Sequence, residues 1–127
     1  MLGCVLRVSG AAFKVNEFLW GCTFRPCKVW QVGDQRTAGR AAAVTAGFNV
    51  ATSDADDLPG QIRDTMTFAN RYQQELGRLR TEAGIESLVL DFGISRRDVA
   101  AQFDRFPAEI IRLSAEYGMG IELSQYV

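Results

Sequence analysis

Three aspartates crowd the run SDADD at 53–57, and carboxylates at such short intervals are what a hard cation such as calcium takes as ligands. The run does not continue as a calcium loop. With Asp54 as the first ligand position, Pro59 stands where a glycine is required and Thr65 where a bidentate glutamate belongs. Pro59 and Gly60 instead lead into a helical pattern, so Asp54, Asp56 and Asp57 read as capping and solvation of a helix start, whose partial positive charge favours them. No metal is expected there.

Cys22 and Cys27 are spaced C-x4-C, and Cys4 would approach them if the first strand packs on the first helix. Three thiolates need a fourth ligand to hold a metal, and the chain has no histidine to supply it. The redox spacing C-x-x-C is absent, so the thiols read as small hydrophobes, and their odd number fits a reducing, cytoplasmic setting better than a disulfide framework. The lack of histidine also removes Ser-His and Cys-His pairs and every histidine general base. The glycines never fall into G-x-G-x-x-G or a P-loop spacing, which leaves no phosphate cradle and no cofactor to expect. Arg71, Arg78, Arg105 and Arg112 each stand four residues ahead of a glutamate (Glu75, Glu82, Glu109 and Glu116), the spacing of ion pairs within a helix.

One further set of residues emerges from strand alternation. If Leu6, Val50, Leu90 and Leu123 turn toward a helical layer, then Arg7, Asn49, Asp91, Glu122, Ser124 and Tyr126 share the opposite sheet face, and Trp30 can join them. That face mixes aromatic rings with opposite charges. It reads as a wet sheet with cross-strand ion pairs, as a ligand surface, or as an interface with a second copy in which Arg7 meets Asp91 or Glu122 of the other chain. A catalytic reading would use Asp91 and Glu122 as acid and base.

The elements that must position these residues follow from the pattern of apolar side chains. Cys4, Leu6 and Val8 alternate with more polar neighbours over residues 3–9, which predicts a strand rather than a leader peptide or membrane span, since Arg7 interrupts the run. A short helix is expected around Phe13 to Cys22, a second strand over Val29–Val32 and a third over Val44–Thr52, with 34–43 as their connection. The longest helix is predicted over about 60–83, with Ile62, Met66, Ala69, Leu76 and Leu79 on its apolar stripe. Ser87–Phe92 alternates as a fourth strand. Ser95 and Asp98 suggest a capping box opening a short helix through Val99 and Phe103. Pro107 suits the first turn of a last helix carrying Ile110, Leu113 and Tyr117, and Met119–Val127 completes a fifth strand.

The order predicts one α+β domain over residues 1–127, a two-layer sandwich with a mostly antiparallel sheet and its helices on one face. A ferredoxin-like β-α-β-β-α-β core with an appended helix and strand is its most specific version. Composition agrees with a soluble globular protein: 47% of residues are hydrophobic, 23% charged, and the net charge is −1, which gives no electrostatic case for nucleic acid or a membrane surface.

The pieces CVLRVSG, FRPCKVWQVGD, LDFG and FPAEIIRLSAEYGMGIELSQY, with the long helix between them, resemble the bacterial domain-of-unknown-function family 4279. The resemblance implies a small cytosolic α+β domain and carries over no functional residue. The resulting expectation is a non-catalytic binding or protein-interaction module that self-associates, as a homodimer, through the open sheet face. The alternatives are a small-molecule enzyme using Asp91 and Glu122, and, by analogy with other bacterial domains of this size, an immunity-type protein that binds a toxin.

Overall fold

In the computed structural model, which describes residues 2–127, five strands form one mixed sheet in the order β2, β3, β1, β4, β5. Along the chain these are β1 (Gly3–Gly10), α1 (Val15–Trp20), β2 (Lys28–Trp30), β3 (Ala46–Ser53), α2 (Leu58–Arg71), α3 (Gln73–Thr81), β4 (Ser87–Ser95), α4 (Ala108–Glu116) and β5 (Gly120–Tyr126). β1 lies at the centre, antiparallel to both β3 and β4, and β2 is antiparallel to β3. This is the ferredoxin-like arrangement. The appended α4 carries the chain back over the sheet so that β5 joins β4 in parallel.

Register fixes which side chains share a face. Leu6 stands opposite Val50 and Leu90, Val8 opposite Phe48 and Leu88, and Cys4 opposite Phe92, so the alternation anticipated from the sequence places these residues together. They meet Phe18 of α1, Ile62 and Ala69 of α2, Leu76 and Leu79 of α3 and Ile110 of α4 in one apolar cluster. All four helices therefore cover the same side of the sheet. Aromatic rings fill one end of this core, where Phe18 stacks on Phe48 at 5.9 Å between centroids.

The predicted long helix is two. Tyr72 leaves helical geometry between α2 and α3, and its ring meets Phe24 edge-on at 5.5 Å, so each helix aims its own stripe at the sheet. Asp57 caps α2, its carboxylate accepting from the Gly60 amide at 2.8 Å.

The expected helix through Val99 and Phe103 does not form. Ser95 belongs to β4 and caps nothing, while Phe103 and Val99 face solvent, so a helix there would have had no apolar face to bury. Side chains shape the segment instead: Gln102 accepts from the Arg97 amide at 2.7 Å and donates to the Ser95 carbonyl at 3.2 Å.

The ion pairs expected along the helices are also not formed among the described residues, where the two salt bridges are Arg7–Asp91 and Arg97–Asp104. Arg78 is drawn elsewhere. Its guanidinium lies 4.7 Å from the Phe18 ring and donates to the Gly21 carbonyl at 3.2 Å, tying α3 to the end of α1.

Candidate functional site

The uncovered face of the sheet carries every residue that strand alternation assigned to it. Arg7, Asn49, Asp91, Glu122, Ser124 and Tyr126 alternate with the core-facing residues of their strands, and Lys28 and Trp30 stand opposite Asn49 and Gly47 on the same side.

Four of them are bonded together. Arg7 donates to Asp91 Oδ2 from both Nε (3.1 Å) and Nη2 (2.8 Å), and Ser124 Oγ donates to Asp91 Oδ1 at 2.7 Å. With its amide turned to suit the network, Asn49 accepts from Arg7 Nη1 at 3.2 Å and donates to the Phe48 carbonyl. The Asp91 side chain is 7% exposed and that of Arg7 45%, so the carboxylate is a buried anchor holding a guanidinium that still reaches solvent. Arg7 thus meets Asp91 of its own chain.

Trp30 is held just as firmly. Its Nε1 donates to Thr45 Oγ1 at 3.2 Å, and its ring lies over Gly47, where an added Cβ would come within 2.6 Å of the indole and 2.2 Å of the Val8 carbonyl. Only glycine lets the ring sit so close to the sheet. Lys28 places its ammonium 5.7 Å from the same ring.

The 34–43 stretch, which carries no pattern in the sequence, supplies the wall. Its base is closed by Gly33 N donating to Ala43 O at 2.7 Å and Ala43 N to Asp34 O at 2.9 Å. Between this loop and the sheet lies a cleft of about 440 Å³, bounded by Arg7, Trp30, Asn49 and Glu122 together with Lys28, Asp34, Arg36 and Arg40. Four cationic side chains face two carboxylates, and with Asp91 beneath Arg7 counted as the third the local balance is still positive, on a chain whose net charge is −1. Asp91 and Ser124 sit beneath Arg7 rather than in the cleft, and Tyr126 is on the same face beyond its rim.

Lys28, Arg36 and Arg40 were not singled out from the sequence. Lys28 was within reach of the alternation argument, because it stands two residues from Trp30 on one strand. Arg36 and Arg40 carried no such signal, since a loop has no period.

The cysteines are dispersed: Cys4 is buried on β1, Cys22 is half-buried after α1 and Cys27 is exposed before β2. Burial pushes the Cys4 thiol up to about 11 and also raises that of Cys22, the opposite of an activated thiolate. No group of three or more Cys, Asp or Glu side chains among the described residues is arranged to hold a metal ion. Nor is any helix among them long and apolar enough to cross a membrane.

Compared with family models, with curated proteins and with solved structures, the chain matches none.

Proposed function

We propose that the protein is a non-catalytic binding module whose ligand is a small anion held in the cleft between the open sheet face and the 34–43 loop. The observation that carries this reading is the fixed Arg7, buttressed from below by Asp91 and Asn49 and joined at the cleft by Lys28, Arg36 and Arg40. A guanidinium already locked in place loses little freedom on gaining a ligand, and beyond its bonds to Asp91 and Asn49 its Nη1 and Nη2 each keep one N–H for a carboxylate or phosphate oxygen. Asp91 supports a binding role over the acid–base alternative. Both its oxygens are engaged by Arg7 and Ser124, three donors on a carboxylate that is almost wholly buried, an arrangement that suits an anchor better than a base in contact with a substrate.

The test is a titration followed by Trp30 emission in a Trp20→Phe variant; Trp20 is 93% exposed, so its replacement leaves Trp30 as sole reporter at little cost to the fold. Inorganic phosphate, pyrophosphate and citrate are the probes. Saturable binding is expected at low ionic strength, weakened severalfold at about 0.3 M salt and lost in Arg36→Gln/Arg40→Gln. Absence of saturable binding by all three at about 10 mM, far above the Kd an intact cation cluster should give, rejects the reading.

A further inference from the structure

β5 is an edge strand of seven residues, and nothing among the described residues covers its outer side. The direction of its backbone groups follows from one hydrogen bond: the Tyr126 carbonyl accepts from the Arg96 amide at 2.7 Å, so Tyr126 points inward, toward the β4 side. In a strand the N–H and C=O of one residue point the same way and successive residues alternate. Gly120, Glu122 and Ser124 therefore face β4 as well, while Ile121, Leu123 and Gln125 present theirs to the free edge. No hydrogen bond among the described residues reaches those outward groups. Of the usual protections of an edge, β5 has one charged side chain, Glu122, but no proline, no lysine and no bulge against β4. The opposite edge, β2, has three residues only.

We infer that the free edge of β5 pairs antiparallel with β5 of a second copy about a two-fold axis at Leu123, joining the two five-stranded sheets into one. Leu123 is both the midpoint of the strand and an outward-facing residue, so this register matches every outward N–H and C=O: Leu123 with Leu123 of the other chain, and Ile121 with Gln125 in both directions. The side chains agree. Glu122 falls opposite Ser124, whereas a two-fold axis one residue earlier would set Glu122 against itself and leave fewer backbone bonds. Tyr126 falls opposite Gly120, where an aromatic ring from the neighbouring strand covers the bare backbone of a glycine. On the helical side, the half-exposed Ile121 adds apolar area near the axis. Apart from Glu122, the cleft residues named above stand on β1, β2, β3 and the 34–43 loop, away from the paired edge, and failure of the pairing would leave the anion-binding reading intact.

The test is sedimentation velocity of the full chain over a dilution series, beside Gln125→Pro. The Gln125 amide points to the free edge, so proline removes no bond to β4 while blocking the dimer ladder. The wild type is expected to dimerise, and the variant to raise the dimer dissociation constant by at least about tenfold with an unchanged circular dichroism spectrum. Should Gln125→Pro disturb the fold, Ile121→Lys replaces it, a charge on an already exposed side chain. Register is read by mixing Glu122→Cys with Ser124→Cys, both in a Cys27→Ser background: disulfide-linked dimers are expected from the mixture and not from either protein alone. A monomeric wild type at about 0.5 mM, far above the Kd expected of a specific dimer, overturns the inference. So does a dimer indifferent to both edge variants, or equal cross-linking of Glu122→Cys with itself.

Discussion

Nε and Nη2 of Arg7 converge on a single oxygen of Asp91, at 3.1 and 2.8 Å, and the other oxygen is left to the hydroxyl of Ser124 at 2.7 Å. Both carboxylate oxygens are thereby hydrogen-bonded although the group sits almost out of reach of water. Arg7→Met removes two of its three donors and should lower stability by about 1–3 kcal/mol, toward the low end because the guanidinium is half exposed and screened. Adding Asp91→Leu to that variant removes the uncompensated charge, so part of the loss should return. Urea denaturation of the two single variants and the double one measures the coupling; strictly additive losses would show that the pair contributes nothing as a pair.

Gln61 is fully buried in α2, and its Nε2 donates to the carbonyls of Ala55 at 2.9 Å and Gly93 at 2.8 Å, so one amide ties the loop ahead of α2 to β4. Its own Oε1 has no protein partner. Gln61→Leu removes the donor from the buried Gly93 carbonyl and from the part-buried Ala55 carbonyl and is expected to cost about 1–3 kcal/mol. Hydrogen exchange should quicken first in the 53–57 loop. Protection lost evenly over the whole sheet would mean that Gln61 does not act through that tie.

Gly47→Ala drives a methyl group toward the Val8 carbonyl and the Trp30 ring, and neither the strand backbone nor the Thr45-bonded indole has room to yield. The expected outcome is a loss of about 1–3 kcal/mol, as for other overpacked sites. In the Trp20→Phe background it should bring a change in Trp30 emission. An unaltered spectrum with unaltered stability would show the ring to be free of the glycine.

Ile110 is wholly buried, whereas Leu113, one turn on and expected from the sequence to be equally covered, is only half-buried beside the core. Ile110→Ala should therefore cost about 2–5 kcal/mol and Leu113→Ala clearly less. Denaturant midpoints give the order directly, and the reverse order would contradict the seating of α4.

The Cys4 thiol, raised from 9.0 to about 11 by burial, makes stability depend on alkaline pH. An unfolded chain releases this proton at lower pH than the folded one. Stability from this source is complete below about pH 9 and is lost as pH rises toward 11, with Cys22 and Tyr117, both raised by burial, acting in the same direction. Cys4→Val should flatten the fall in thermal midpoint between pH 9 and 11. A slope equal to that of the wild type would assign the alkaline sensitivity to other groups.

The sequence by itself determined the layer architecture and the parity of its strands, because alternation at Cys4, Leu6 and Val8 and at Leu88, Leu90 and Phe92 is set by the pleat and needs no knowledge of neighbours. The same parity put Arg7, Asn49, Asp91, Glu122, Ser124, Tyr126 and Trp30 on one face. It could not say which of them touch. That Asp91 serves Arg7 diagonally across to β1 and Ser124 on β5 depends on strand order and register, which are long-range properties. The cleft was further from view, since Arg36 and Arg40 reach it from a loop whose path is set by where β2 and β3 end and not by any period of its own. Helix boundaries failed for a related reason: Tyr72 breaks α2 from α3 as its ring meets Phe24, and Val99 and Phe103 stay exposed because no surface lies opposite them. Local pattern states what a segment would do if its apolar side were covered, and only the tertiary structure supplies the cover.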